Sequence, residues 1–126
     1  MHRSKLTAVL VDVPEGVYDR EVGFWSAATG RRPAVDDRNP EYSDFGEVVP
    51  GWQFMVQRIG TPAARCHLDV ETDDVDAEVR RLEALGAERV GAVKKWFVMR
   101  DPAGLLFCVV PVQTGEAFQQ LAATWP

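Results

Sequence analysis

The sequence predicts an α+β fold in which two tandem βαβββ modules form a curved sheet around a central cavity. Three observations lead there. The order strand, helix, three strands can be read twice along the chain. The glycines that would end the two helices, Gly30 and Gly86, stand 56 residues apart. Setting Gly51 against Gly104 then aligns WQFMV, residues 52–56, with LLFCV, residues 105–109, and brings Phe54 onto Phe107. Such a repeat means that each unit is one supersecondary block with an apolar face of its own. A length of 126 residues suits a single domain. Module one covers 1–60, module two 63–112, and a short C-terminal helix is expected over 114–124.

KLTAVLVDV (5–13) is aliphatic and nearly continuous in its apolar character, as a strand buried on both faces is. After Pro14 and Gly16, Tyr18, Val22, Trp25 and Thr29 fall at helical spacing up to Gly30, a C-terminal cap. RPAVD (32–36), EYSDFGEVV (41–49) and WQFMVQRI (52–59) follow as an antiparallel meander, separated by Asp37, Asn39-Pro40 and Pro50-Gly51. Thr61-Pro62 marks the seam. The second half restarts with the strand ARCHLDVET (64–72). In the helix after it, Val75, Val79, Leu82 and Leu85 recur at i, i+4, i+7 and i+10. Asp73 or Asp74 can accept its free first-turn amides, and Gly86 can stop it. ERVGAV, KWFVMRD and LLFCVVP complete the module, with Asp101-Pro102-Ala103-Gly104 as the last hairpin. A ferredoxin-like sandwich is the minor alternative; it places two strands between helices where this chain shows three.

Fourteen Lys and Arg against nineteen Asp and Glu give a net charge of −5, which leaves no basic footprint for nucleic acid. No apolar run reaches the roughly 18 residues of a membrane helix, and Asp12 interrupts the only early apolar stretch, so a cytoplasmic protein with no membrane partner is expected. Cys66 and Cys108, without CxxC spacing, read as reduced thiols rather than a disulfide or zinc knuckle.

HLDVETDDVDAEVRRLEALGAERV followed by DPAGLLFCVVP resembles the second module of the vicinal oxygen chelate superfamily, the glyoxalase, bleomycin-resistance and extradiol-dioxygenase group, in its glyoxalase-like branch. VLVDVP, the pair Phe24-Trp25 and Gly30 resemble the first module, so the likeness covers nearly the whole chain. It implies inward residues on the first and last strand of each module that can hold a divalent metal, a Lewis acid for vicinal oxygens of a substrate.

His67 stands at the ligand position of the second module's first strand, and Cys108 stands where the closing strand usually carries a glutamate. In module one the matching places are Leu10, or Ala8 if the alignment slips by two, and Met55. One usual ligand in four is short of the three that a catalytic metal generally takes, so no cofactor is expected. A divalent metal is the alternative, with His67 as its ligand. His67 can equally be a satisfied core histidine. Cys108 and Met55 fit as packing residues, and Glu41, Asp44 and Glu47 as solvated carboxylates. Alternation turns Phe54 and Phe107 toward the helices if Met55 and Cys108 face the cavity. Trp52 and Trp96 remain candidates to line it.

Three functions follow in order. The first is a small-molecule binder of the bleomycin-resistance type with an incomplete metal site. The second is a glyoxalase-like lyase, isomerase or dioxygenase using His67 as metal ligand or acid/base group. The third is a structural module. A homodimer is expected from the family, with Phe118, Leu121 and Trp125 of the tail as an apolar contact face, and a monomer with the two modules closed on each other is the alternative.

Overall fold

A computed structural model describes residues 1–126. Nine strands and three α-helices make up the chain, in the expected order as far as the third helix. They are β1 (His2–Val13), α1 (Tyr18–Thr29), β2 (Ala34–Asp36), β3 (Asn39–Val49), β4 (Trp52–Arg58), β5 (Arg65–Thr72), α2 (Val75–Ala84), β6 (Glu88–Val93), β7 (Trp96–Arg100), β8 (Leu106–Pro111), α3 (Glu116–Leu121) and β9 (Ala123–Trp125). No helix is long and apolar enough to cross a membrane. The chain divides into two compact units, residues 8–66 and residues 1–7 with 67–126, so β1 contributes to both.

In the unit of residues 8–66 the strand order is β2-β3-β4-β1. The meander pairs are antiparallel, while β4 returns parallel to β1 with Leu10 opposite Met55 and Val11 opposite Val56. Val13, Tyr18, Phe45 and Val56 form the core, with Val11, Val22, Trp25 and Phe54 packed against it. Phe54 thus lies under α1, as alternation requires, and its ring meets Trp25 edge-on at 5.1 Å. The Tyr18 hydroxyl is satisfied by Ser43 Oγ at 2.6 Å. Gly30 ends α1 at φ 67°, a left-handed turn that costs glycine nothing.

In the other unit β5, β8, β7 and β6 lie in that order, with β5 and β8 parallel. Val79, Met99, Phe107 and Val109 form its core, joined by Leu68, Val70, Val75, Leu82 and Phe97. Burial of Val79 alone contributes roughly 1.5–3 kcal/mol. Asp74 caps α2 by accepting from the Ala77 amide at 2.9 Å. Glu78 on α2 is fully buried and gathers His2, Ser4 and Arg81.

The tail departs from expectation. The helix stops at Leu121, and residues 123–125 form β9, antiparallel to the start of β1 with His2 opposite Trp125. Phe118 is 1% exposed and lies under the Arg3 guanidinium, so it is a core residue and not part of an outward apolar face. Trp125 donates its indole N–H to Ser4 Oγ, so a strand residue, not a helix residue, closes the chain onto β1.

Candidate functional site

The candidate site is built on β5. Leu68 and Val70 point into the core beneath α2, so His67, Asp69 and Glu71 stand on the opposite face of the same strand. β8 runs parallel beside it and sets Cys108 directly opposite Asp69. Phe107 and Val109 belong to the core, which turns Cys108 to the side of His67 and Asp69. On β7 the same logic applies: Phe97 and Met99 face the core, Val98 sits opposite Cys108, and Trp96 shares the face of Val98. Trp96 is half-buried with the Lys94 ammonium 5.7 Å from its ring centre.

His67, Asp69 and Cys108 bring a ring nitrogen, a carboxylate oxygen and a thiol sulfur to within 4.8 Å of one another. His67 is 9% and Asp69 6% exposed, and Cys108 is half-buried. His67 Nε2 lies 3.6 Å from Asp69 Oδ1, too far for a hydrogen bond. Asp69 Oδ1 is buried and makes none. An unpaired buried carboxylate oxygen is costly, and native proteins hold few of them.

Glu71, two residues further along the same face, is the contrast. It has no exposure, yet its Oε2 accepts from the amides of Gln113 at 2.6 Å and Thr114 at 2.9 Å, its Oε1 accepts from the Thr114 hydroxyl, and Lys5 Nζ lies 3.1 Å away. Burial works to raise its pKa, but the Thr114 hydroxyl, the two amides and Lys5 outweigh it and hold the carboxyl below the usual range. Glu71 fastens the tail to β5.

The pairing also decides between the two alignments of module one. Val11 faces Val56 as Val70 faces Val109, and Leu10 faces Met55 as Asp69 faces Cys108. Matching strand to strand therefore puts Ala8 in the place of His67, Leu10 in that of Asp69, and Asp12 in that of Glu71. Ala8 and Leu10 are 0% and 1% exposed, and Met55 is half-buried. Asp12 Oδ2 accepts from Arg65 Nε at 3.4 Å. Trp52 is half-buried beside its turn opposite Val49. Of the remaining acids, Asp44 Oδ1 accepts from the Gly46 amide and Glu47 Oε2 from the Gly51 amide.

Of the residues singled out from sequence, His67 and Cys108 come together, Trp96 shares their face, and Ala8, Leu10, Met55 and Trp52 belong to the other unit. Asp69 is not among the residues that the sequence analysis singles out. The signal was present: in a strand the spacing His-x-Asp puts both side chains on one face. A count of one ligand at four places becomes three ligand-type groups in one module.

A model of the glyoxalase-like domain matches residues 8–110. No curated protein matches the chain by sequence. Among solved structures, the chain is similar to one described as an NAD-dependent benzaldehyde dehydrogenase from Legionella pneumophila, with 14% identity, TM-score 0.58, and 83% of this chain and 99% of that one covered. It is similar to methylmalonyl-CoA epimerase from Mycobacterium tuberculosis, with 17% identity, TM-score 0.51 and coverage of 86% and 87%. It is also similar to 2,2',3-trihydroxybiphenyl 1,2-dioxygenase from Sphingomonas wittichii, with 13% identity and TM-score 0.57, covering 88% of this chain and 41% of that one. At these identities the structures speak for the fold alone, whereas the domain match takes in both βαβββ repeats, and the chain belongs to the glyoxalase-like domain family.

Proposed function

We propose that this chain is a small-molecule-binding protein of the glyoxalase type, with its ligand seated on the His67, Asp69 and Cys108 face of module two. The observation that carries the reading is the buried Asp69 Oδ1 without a hydrogen bond. Leaving such an oxygen unpaired costs about 1–3 kcal/mol or more, a cost that a ligand donor removes on binding. The face suits an organic molecule with a hydroxyl, amine or amide directed at Asp69. Its apolar body would rest against Val98 and Trp96, giving the mix of apolar wall and few polar groups that ligand sites share.

Enzymatic turnover is the second reading. It is favoured by the His67 ring nitrogen facing a carboxylate, an arrangement that can orient an imidazole for proton transfer, and by the enzymes among the structural neighbours.

The test is a thermal-shift screen of chelator-treated protein with small aromatic and polar compounds, run beside Asp69→Asn and His67→Ala. A compound present at a hundred times its Kd stabilises the native state by about 2.7 kcal/mol. Compounds that stabilise wild type and fail on both variants support the site. Equal stabilisation of all three proteins would move the ligand elsewhere and end the reading. A bound compound that wild type consumes and His67→Ala does not would put turnover first.

A further inference from the structure

We propose that Cys108 captures soft, conjugated electrophiles as a covalent thioether, with His67 carrying the thiol proton and Asp69 holding the imidazole. The proposal rests on the reading of this face as the ligand-binding face and names the class of ligand it takes, molecules with a carbon–carbon double bond conjugated to a carbonyl.

The thiolate, not the thiol, is the nucleophile, so a capturing cysteine needs a base within reach and a third group that orients the base. The cluster supplies all three, since the Cys108 sulfur, a His67 ring nitrogen and an Asp69 carboxylate oxygen lie within 4.8 Å of one another. A gap of this size closes by a small turn of the Cys108 side chain or through one water. His67 Nε2 stands 3.6 Å from Asp69 Oδ1, and both residues are more than nine-tenths buried. Asp69 Oδ1 accepts no hydrogen bond, so it is open to a ring N–H when the imidazole carries the proton. Cys108 is half-buried, which leaves its sulfur within reach of a ligand while its proton partner is screened from solvent. Cys66 is the opposite case: it is exposed, and alternation puts it on the other face of β5 from His67. In the repeat, Met55, Ala8 and Leu10 fill the places of Cys108, His67 and Asp69, so the fold itself needs none of the three groups.

The capture balances without a further reagent. The S–H bond of Cys108 breaks, and its proton passes to His67. The sulfur electron pair forms a bond to the β carbon of the ligand, and the π pair of the double bond moves toward the carbonyl. The α carbon then takes the proton back from His67. Nothing is oxidised and no group leaves. Sulfur is soft and polarizable, which matches it to a conjugated carbon. The surroundings select the shape: Val98 sits opposite Cys108 and Trp96 shares its face, so a flat conjugated body rests against an aliphatic side chain and an indole.

Chelator-treated protein should be incubated with 4-phenylbut-3-en-2-one, a flat aromatic enone, and the adduct fixed with borohydride. The tryptic peptides 66–80 and 101–126 carry Cys66 and Cys108 separately, so mass spectrometry reads the two thiols side by side. Addition at Cys108 is expected to run at least about tenfold faster than at the more exposed Cys66, and to saturate with enone concentration because binding precedes bonding. His67→Ala should slow addition at Cys108 by at least about tenfold. The enone has no donor for Asp69, so Asp69→Asn should lower the limiting rate severalfold without moving the half-saturating concentration. Circular dichroism checks that each variant folds; where one does not, the order of the two cysteines in the wild type and the saturation decide. Addition that favours Cys66, a Cys108 rate that rises linearly with enone, or one that a folded His67→Ala leaves unchanged overturns the proposal. Compounds that stabilise the protein through Asp69 while the enone favours Cys66 would remove the capture and keep the ligand face. Saturating capture at Cys108 with no compound giving a thermal shift would keep the capture and remove the reversible-ligand reading.

Discussion

Replacing Glu78 by glutamine should cost about 2–3 kcal/mol of folding stability at neutral pH. The Glu78 side chain has no exposure. Arg81 donates to it twice, at 2.9 and 2.8 Å, Ser4 Oγ donates at 2.8 Å, and His2 Nε2 stands 2.7 Å from Oε2. Glutamine has the same shape but turns one acceptor oxygen into a donor, so in either orientation an N–H must face the guanidinium, together with Ser4 in one and His2 in the other. Removing one charge from a buried ion pair costs about 3–5 kcal/mol. Arg81 keeps 25% of its side chain exposed, so water takes over part of its solvation and the lower figure applies. At about 3–4 °C per kcal/mol for a chain of this size, the melting temperature should fall by roughly 6–12 °C. Urea unfolding and calorimetry on both proteins measure it. The pH dependence is the sharper check. Burial acts to raise the Glu78 pKa, but Arg81, His2 and Ser4 outweigh it and hold the carboxyl below its ordinary 4.5. Its contribution is therefore fully present above pH 4.5 and is lost as pH falls through the lower folded value, so the two proteins should converge in acid. A difference under 0.5 kcal/mol at neutral pH, or one that widens in acid, refutes the reasoning.

Other perturbations test separate parts of the structure. Asp74→Ala removes the side-chain acceptor of the Ala77 amide and should cost about 1 kcal/mol in urea unfolding. Gly86 sits at φ 105°, where a Cβ is strained, so Gly86→Ala should cost about 1–2 kcal/mol; Gly91→Ala, which meets open space at an ordinary φ, serves as its comparison. Asp69→Asn should stabilise the chelator-treated protein by about 1 kcal/mol in the same assay, because it replaces a buried carboxylate whose Oδ1 accepts no hydrogen bond with a neutral amide. Destabilisation by Asp69→Asn would mean that this carboxylate holds the fold together and is not reserved for a ligand.

The second helix was legible because its signals were redundant. Val75, Val79 and Leu82 repeat on one face of α2, Asp74 caps it and Gly86 follows it, so periodicity, capping and termination agree. The meanders were legible from their turn residues, and alternation placed Phe54 and Phe107 under the helices correctly. The tail was not legible to the same degree. Phe118, Leu121 and Trp125 fit a helical spacing, but the pairing of Trp125 with His2 depends on a strand more than a hundred residues away, which no local pattern encodes. Asp69 was missed for another reason. A single acid in an aliphatic strand has no periodic signature, and whether it is bonded or left unpaired depends on neighbours brought by β8 and the segment after it.

The three buried acids on the inner strands of the two modules argue together. Glu71 and Asp12 occupy matching places, and each has a cation of its own: Lys5 at 3.1 Å for Glu71 and Arg65 at 3.4 Å for Asp12. These carboxylates serve the fold, and the match between modules is what a structural role repeated in both copies produces. Asp69 breaks the match, because its counterpart is Leu10, a residue that fills the same place with no polar cost. The fold therefore does not require an acid there. What sets Asp69 apart is that packing does not require it and that it shares its face with an imidazole and a thiol, the observations on which the proposed ligand face rests. The same comparison puts all three donor groups in module two, since the two beside Asp69, His67 and Cys108, stand opposite Ala8 and Met55 in the repeat.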